Sequence, residues 1–291
     1  MIEVARTVED LRARVAAWRG SGERIGFVPT MGALHEGHLS LVRYAREQAA
    51  RTLVSIYVNP AQFGPNEDFD RYPRDPEGDL AKLEALGVDL VYMPETLYAP
   101  DHLTWVTVER LGEGLCAVTR PQFFRGVATV VLKLFHRVRP DFAVFGEKDY
   151  QQLLVVQRMV RDLDLEIEVI GRPTVREADG LALSSRNAYL SPEERRIAPA
   201  MYRALMRGAA QLARGARAEA VTAEVAREIL GAGYSRVDYV EFRDAATLEP
   251  RSLLGDRPGR LLAAAFLGST RLIDNVPVTP QGASRAAVQT R

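Results

Sequence analysis

One cysteine, Cys116, stands in a chain of 291 residues. A lone cysteine excludes an intrachain disulfide and a thiolate metal cluster. Nothing near it marks an activating base, so it is expected to be a small, semi-buried residue rather than a nucleophile. Charge of one sign is also missing: 38 Lys and Arg balance 38 Asp and Glu. No global field therefore draws in a nucleic acid or an anionic membrane, although a local basic pocket for phosphate stays open. Long hydrophobic runs are absent. The longest, residues 261–267, is too short to span a bilayer. Residues 1–15 interleave charges with apolar side chains and lack the continuous apolar stretch of a targeting segment. There is no internal repeat. A cytoplasmic protein with neither membrane nor nucleic-acid partner is expected.

What is present suffices for a core. With 47% hydrophobic and 26% charged residues, the chain has the composition of an ordinary globular protein, long enough for one large domain or two smaller ones. Strand-like and helix-like segments alternate through the first half, which predicts an α/β fold with a parallel sheet. Residues 25–28 form an apolar run stopped by Pro29, followed by a glycine-bearing loop and an amphipathic stretch over 39–50. Residues 52–58 read as a second strand, 59–76 as a long loop that could wall a site, and 77–86 as a helix. Residues 89–93 and 104–108 read as strands, 126–138 as a helix, 142–146 as a buried strand, 151–163 as a helix and 167–170 as a strand.

The texture changes near residues 173–175. Ser191-Pro192-Glu193-Glu194 is a strong helix start, and the Ala/Arg-rich run after it predicts one long helix to about residue 215. Another helix is expected over 218–230, with strands over 237–242, 261–266 and 270–273. The reading is a Rossmann-like doubly wound domain over 1–174, a smaller α+β domain over 175–278 and a disordered tail over 279–291.

Three polar clusters stand out. His35 and His38 are three apart where the first strand passes through a loop into a helix. That spacing puts both on one helical face, beside the exposed N–H groups and positive dipole end that attract phosphate. Gly32 and Gly37 allow close approach to the backbone. Alone, such a pair is as readily a cap and a packed ring; after strand, Pro and Thr it reads as a site. Gly146-Glu147-Lys148-Asp149 follows a predicted parallel strand, where α/β folds hold ligands, and Gln151-Gln152 adds two amides for a polar substrate. Ser184-Ser185-Arg186-Asn187 offers hydroxyls and a guanidinium for a triphosphate.

Together, Thr30-Met31-Gly32-Ala33-Leu34-His35-Glu36-Gly37-His38, Tyr57-Val58-Asn59-Pro60-Ala61-Gln62-Phe63, Gly146-Glu147-Lys148-Asp149-Tyr150-Gln151-Gln152 and the segment from Arg176 through Asn187 resemble the pantothenate synthetase (pantoate–β-alanine ligase) family, over residues 1 to about 278. The His-x-Gly-His motif alone is shared with a wider superfamily of nucleotidyltransferases and class I aminoacyl-tRNA synthetases; the four segments in this order are specific. The resemblance implies ATP-dependent condensation of pantoate with β-alanine through a pantoyl adenylate, releasing AMP and pyrophosphate. By similarity Met31, Gly32, Ala33, Leu34, His35, Glu36, Gly37 and His38 bind ATP, with His38 as catalytic proton donor. Gly146, Glu147, Lys148, Asp149, Val175, Leu183, Ser184, Ser185 and Arg186 complete the nucleotide site. Gln62 and Gln152 bind pantoate, and Gln62 also contacts β-alanine. Mg2+ accompanies ATP, its ligands unassigned, and a homodimer is implied. The C-terminal domain is expected to act as a lid.

The chain departs from the family pattern at Gly78, where an acid is frequent, at Phe123, where His is common, and at Leu183, where Met is frequent. A nucleotidyltransferase that keeps the nucleotide on its product is the competing reading. A synthetase fragment and a non-catalytic nucleotide sensor are weaker ones, because the first lacks an RNA-binding extension and the second has no use for Gln62 and Gln152.

Overall fold

In a computed structural model of the chain, residues 2–65 and 67–280 are described. The expected tail lies outside them from residue 281 on. The described chain divides into two compact units, one of Met1–Val175 with Leu183–Ser185, the other of Arg176–Ala182 with residues 186–280. Leu183 to Ser185 thus belong to the first unit, whereas the boundary read from sequence assigned them to the second.

The first unit opens with β1 (Val4–Ala5) and α1 (Val8–Gly20). It continues through β2 (Ile25–Thr30), α2 (Glu36–Gln48), β3 (Arg51–Ile56), α3 (Pro76–Ala85), β4 (Leu90–Tyr92) and α4 (Cys116–Thr119). It closes with α5 (Phe123–Val138), β5 (Phe142–Gly146), α6 (Tyr150–Asp162) and β6 (Glu168–Arg172). The six strands form one parallel sheet in the order β1-β4-β3-β2-β5-β6. From β2 onward this is the Rossmann arrangement, with order reversing between β2 and β5.

Register shows what that reversal does. β2 pairs with β3 over six residues but with β5 only at Gly26↔Phe142 and Phe27↔Ala143. Beyond Phe27 the two central strands share no ladder, and a crevice opens at their carboxyl ends. The same gap explains Pro29, which was expected to stop β2 but sits inside it opposite Ser55. On the side facing β5 there is no ladder for its missing N–H to break. Val28, Leu41, Val42, Val54, Leu83, Val91 and Val144 pack as a core cluster with helix and strand side chains interleaved.

Three local expectations change. The helix α1 was not anticipated: Thr7 caps it, its hydroxyl accepting from Asp10 N at 3.1 Å, and Leu11, Val15 and Trp18 bury one narrow stripe. Residues 104–108 alternate but form no strand, because Val106 N donates to Thr129 Oγ1 on α5 (3.0 Å) instead of to a neighbouring strand. Cys116 is buried.

The second unit carries α7 (Pro192–Ile197), α8 (Ala200–Ala213), α9 (Ala218–Gly231), β7 (Arg236–Asp244), β8 (Gly259–Leu267) and β9 (Thr270–Val278). The strands make an antiparallel sheet in the order β7-β8-β9. The single long helix expected after Ser191 is two helices. Pro199 lies at their junction, where it lacks a helical N–H and would clash with the carbonyl four residues earlier. β9 runs through Pro277 because it is an edge strand. Leu205, Leu212, Val221, Ile229, Leu261 and Ala265 pack α8 and α9 onto this sheet. The fold is α/β with a doubly wound parallel sheet and a smaller α+β unit. No helix among the described residues is long and apolar enough to cross a membrane.

Candidate active site

β2 ends at Thr30, whose hydroxyl donates to Ser55 O (2.8 Å) and accepts from Gly32 N (3.2 Å). The chain then turns through left-handed backbone at Gly32 (φ 81°) and Ala33 (φ 50°). Ala33 pays a steric cost there that glycine does not. Asp79, fully buried on α3, offsets it. Its Oδ2 accepts from Ala33 N (2.8 Å) and its Oδ1 from Leu34 N (2.7 Å). Lys82 Nζ donates to Leu34 O (2.9 Å) and lies 3.8 Å from Asp79 Oδ1. Burial pushes the Asp79 carboxyl up, and the two amides pull it back down. Sequence reading missed Asp79 as a site residue. A solitary acid in the first turn of a helix looks like dipole compensation.

His35 is the N-cap of α2. Its Nδ1 accepts from Gly37 N (3.1 Å), while His38 Nδ1 accepts from His35 N (3.4 Å), and the rings lie 4.1 Å apart. A neutral imidazole whose Nδ1 accepts must carry its hydrogen on Nε2. Burial, reinforced by the Lys148 charge, pulls His35 down to about 4; burial, then His35 and Lys148, pulls His38 down to about 3. Both rings are therefore neutral at pH 7 and present Nε2–H donors. Capping uses one nitrogen of each ring and leaves the other to carry the hydrogen. Gly37 is required here, since an added Cβ would lie 2.8 Å from the His35 ring.

The amides expected to meet phosphate are already engaged. Ala33 and Leu34 donate to Asp79, Gly37 to His35 Nδ1, and His38 and Leu39 to His35 O (2.8 and 3.1 Å). An anion arriving at this loop meets side-chain donors in place of those N–H groups.

Across the crevice, β5 ends at Gly146, where an added Cβ would meet nothing within 4 Å. A 3-10 turn, Glu147–Asp149, carries Lys148. Its Nζ lies 3.7 Å from Asp149 Oδ2, its side chain is largely buried, and its charge reaches both imidazoles. The two glutamines that follow differ. Gln151 is buried: its Oε1 accepts from Cys116 N (3.3 Å) and its Nε2 donates to Leu111 O and Glu113 O (3.0 and 3.1 Å). It clasps the loop before α4. Gln152 is half-buried in the first turn of α6.

Gln62 lies buried in the 3-10 turn Pro60–Gln62. Its Oε1 accepts from Asn59 Nδ2 (3.0 Å), and its Nε2 points to Met31 Sδ (3.2 Å). Arg120 donates to Gln62 O (3.1 Å), grips Glu67 through two bonds, and stacks 3.7 Å from the Phe123 ring centre. At the departure Phe123, an aromatic face thus takes up a guanidinium. Gly78, another departure, donates its N–H to the capping Asp75 (3.0 Å), whose carboxylate leaves no room for a side chain.

The first-unit segment of residues 183–185 borders the same loop. Ser185 Oγ donates to Ala33 O (3.2 Å), Leu183 Cβ would lie 3.6 Å from a Cβ on Gly37, and Leu183 N donates to Val175 O (3.0 Å). Met31, His35, His38, Gln62, Lys148, Leu183 and Ser185 are therefore brought together. Glu36 faces solvent and pairs with Arg43. Arg186 belongs to the second unit.

Comparison with known proteins places the chain among relatives of one family. The family described as pantoate-beta-alanine ligase matches residues 3–277. The pantothenate synthetase of Rhodospirillum rubrum is 56% identical over 279 residues, covering 95% of this chain and 99% of that one. That of Hyphomonas neptunium is 54% identical over 286 residues, covering 96% and 97%. Among solved structures, Thermus thermophilus pantothenate synthetase superposes with a TM-score of 0.89 at 46% identity, covering 96% of this chain and all of that one. Pantoate-beta-alanine ligase from Francisella tularensis, complexed with beta-gamma ATP and beta-alanine, gives 0.80 at 31%, covering 95% and 97%.

Proposed function

The chain belongs to the pantoate–β-alanine ligase family, a pantothenate-forming ligase, and from that premise we propose that it works through a pantoyl adenylate made at the crevice between β2 and β5. A pantoate carboxylate oxygen attacks the α-phosphorus of ATP. The bond to the bridging oxygen breaks, and pyrophosphate leaves. The amine of β-alanine, having lost its ammonium proton, then attacks the acyl carbon; AMP departs and the amide remains.

The observation that carries this reading is the pair of neutral imidazoles, held by Nδ1 with the hydrogen on Nε2, beside the Lys148 cation. Negative charge builds on phosphoryl oxygens in the transition state, and preorganised donors and a cation stabilise it there. His38 acts as a hydrogen-bond donor from Nε2 rather than as an imidazolium acid. Gln62 and Gln152 hold pantoate through neutral amides, which leaves its carboxylate nucleophilic, and Gln62 reaches β-alanine as well. Val175, Leu183, Ser184, Ser185 and Arg186 serve the nucleotide. No group of three His, Cys, Asp or Glu among the described residues could hold a metal ion. Mg2+ would be held by the triphosphate, as is usual for that ion, and would offset charge on its oxygens. A homodimer and a cytoplasmic setting complete the proposal.

The test is turnover with pantoate labelled with 18O in its carboxylate. Transfer of one label into AMP, with pyrophosphate as co-product and amide formed only when β-alanine is added, is the expected result. Formation of ADP and phosphate would replace the adenylate by an acyl phosphate. A nucleotide retained on the product would favour a nucleotidyltransferase.

A further inference from the structure

A chain of hydrogen bonds runs from the outer face of the first unit to Gln62. Asn59 is buried, and two backbone groups contribute to orienting its amide. Its Oδ1 accepts from Ala61 N (3.3 Å), and its Nδ2 donates to Gly126 O (3.2 Å). The same Nδ2 donates to Gln62 Oε1 (3.0 Å). Because that oxygen is taken, the Gln62 NH2 must turn the other way, and it meets the Met31 sulfur (3.2 Å), a weak acceptor. An incoming carboxylate oxygen replaces that sulfur at little cost and gains a donor.

Tyr98 closes the chain from behind. Its hydroxyl donates to Asn59 Oδ1 at 2.9 Å, a shorter bond than the one from Ala61. Its ring is fixed among His102 and Trp105 (centroids 5.0 and 5.8 Å), with Lys133 Nζ 5.5 Å from its centre. Removing that hydroxyl takes away the shortest bond to the Asn59 amide and leaves it on the longer bonds to Ala61 N and Gly126 O, so the Nδ2 contact to Gln62 is held less tightly.

We propose that Tyr98 is a positioning residue: through Asn59 it holds the Gln62 amide with its donor face toward the acid substrate. The proposal rests on the assignment of Gln62 to pantoate, and the test separates the two.

Tyr98→Phe removes one hydroxyl and keeps the ring stack. It is compared with Gln62→Ala and the double variant by pantoate KM, ATP KM and melting temperature. Tyr98→Phe is expected to raise pantoate KM about three- to tenfold, the range of one neutral hydrogen bond, with ATP KM unchanged. In the Gln62→Ala background the same change is expected to add nothing, as for residues acting through one another. The Gln62 side-chain amide signals in 1H–15N spectra, identified by their loss in Gln62→Ala, should shift in Tyr98→Phe without substrate. Unmoved amide signals would overturn the proposal, as would an equal KM increase with and without Gln62. If the signals move while Gln62→Ala keeps wild-type pantoate KM, the positioning of Gln62 stands and its assignment to pantoate fails.

Discussion

The loop after β2 and the turn after β5 leave neighbouring strands at the same end of the sheet, yet they are built on opposite plans. In the first, backbone donors are consumed internally by Asp79 and the two imidazoles, and a left-handed turn is held in place by a buried carboxylate. In the second, the backbone at Gly146 borders open space, and the chemistry sits on one long cationic side chain, Lys148. One side of the crevice supplies directed, neutral donors whose placement is prepaid by folding. The other supplies charge and room. The proposed adenylation would use both: charge for the triphosphate in the ground state, and fixed dipoles for the charge that develops only in the transition state.

The largest expected break in that contrast is His38→Ala. If the imidazole is a transition-state donor, single-turnover adenylate formation should fall about a hundredfold or more, while ATP affinity, which the proposal assigns mainly to the Lys148 side, should change little. Adenylation near the wild-type rate in rapid-quench measurements would remove His38 from the chemistry.

Asp79→Asn tests the prepaid half. An amide can accept from one backbone N–H but presents its own NH2 to the other, so a buried donor loses its partner. The expected cost is about 1–3 kcal/mol of unfolding free energy by urea titration, with a slower adenylation step from a loosened loop. A variant as stable as the wild type would show that Asp79 does not hold the turn.

Much of this was readable before the structure. The apolar run of β2, the amphipathic α2 and the buried β5 follow from periodicity, and they place the His35 and Gly146 segments at strand ends. Asp79 was not readable, because its partners lie 45 residues away and its own neighbourhood is that of a helix cap. Nor could Gln151 be told from Gln152. Successive helical residues differ by about 100° in direction, and only the packing of α6 decides which amide turns inward to the loop at Leu111. The helix expected to run through Pro199 is broken there, a stop signal the Ala/Arg-rich run around it masked, and the alternation of residues 104–108 was not enough to make a strand, since an alternating face needs a neighbour as well as a pattern. The Tyr98–Asn59–Gln62 chain depends on a side-chain bond between residues 39 apart, which has no periodic signature.

The smallest expected effect concerns pH. His35 and His38 sit at about 4 and about 3, both lowered chiefly by burial, against 6.5 in an unfolded chain. Where the folded value is the lower one, the unfolded state binds more protons, so stability falls as pH drops. The stabilising contribution of the neutral rings is full above pH 6.5 and is lost as pH falls toward 4. The buried Asp79 carboxyl, raised above its ordinary value, works in the opposite sense over the carboxylate range. Comparing wild type with His38→Gln isolates one imidazole. Between pH 7.5 and 5.5 the wild type should lose at most about 1.4 kcal/mol more than the variant, read from urea midpoints at each pH. Parallel curves would mean that His38 protonates as freely in the folded loop as in the unfolded chain. The Nε2–H donor pair would then not be neutral by burial, and the two sides of the crevice would differ in charge less than their construction implies.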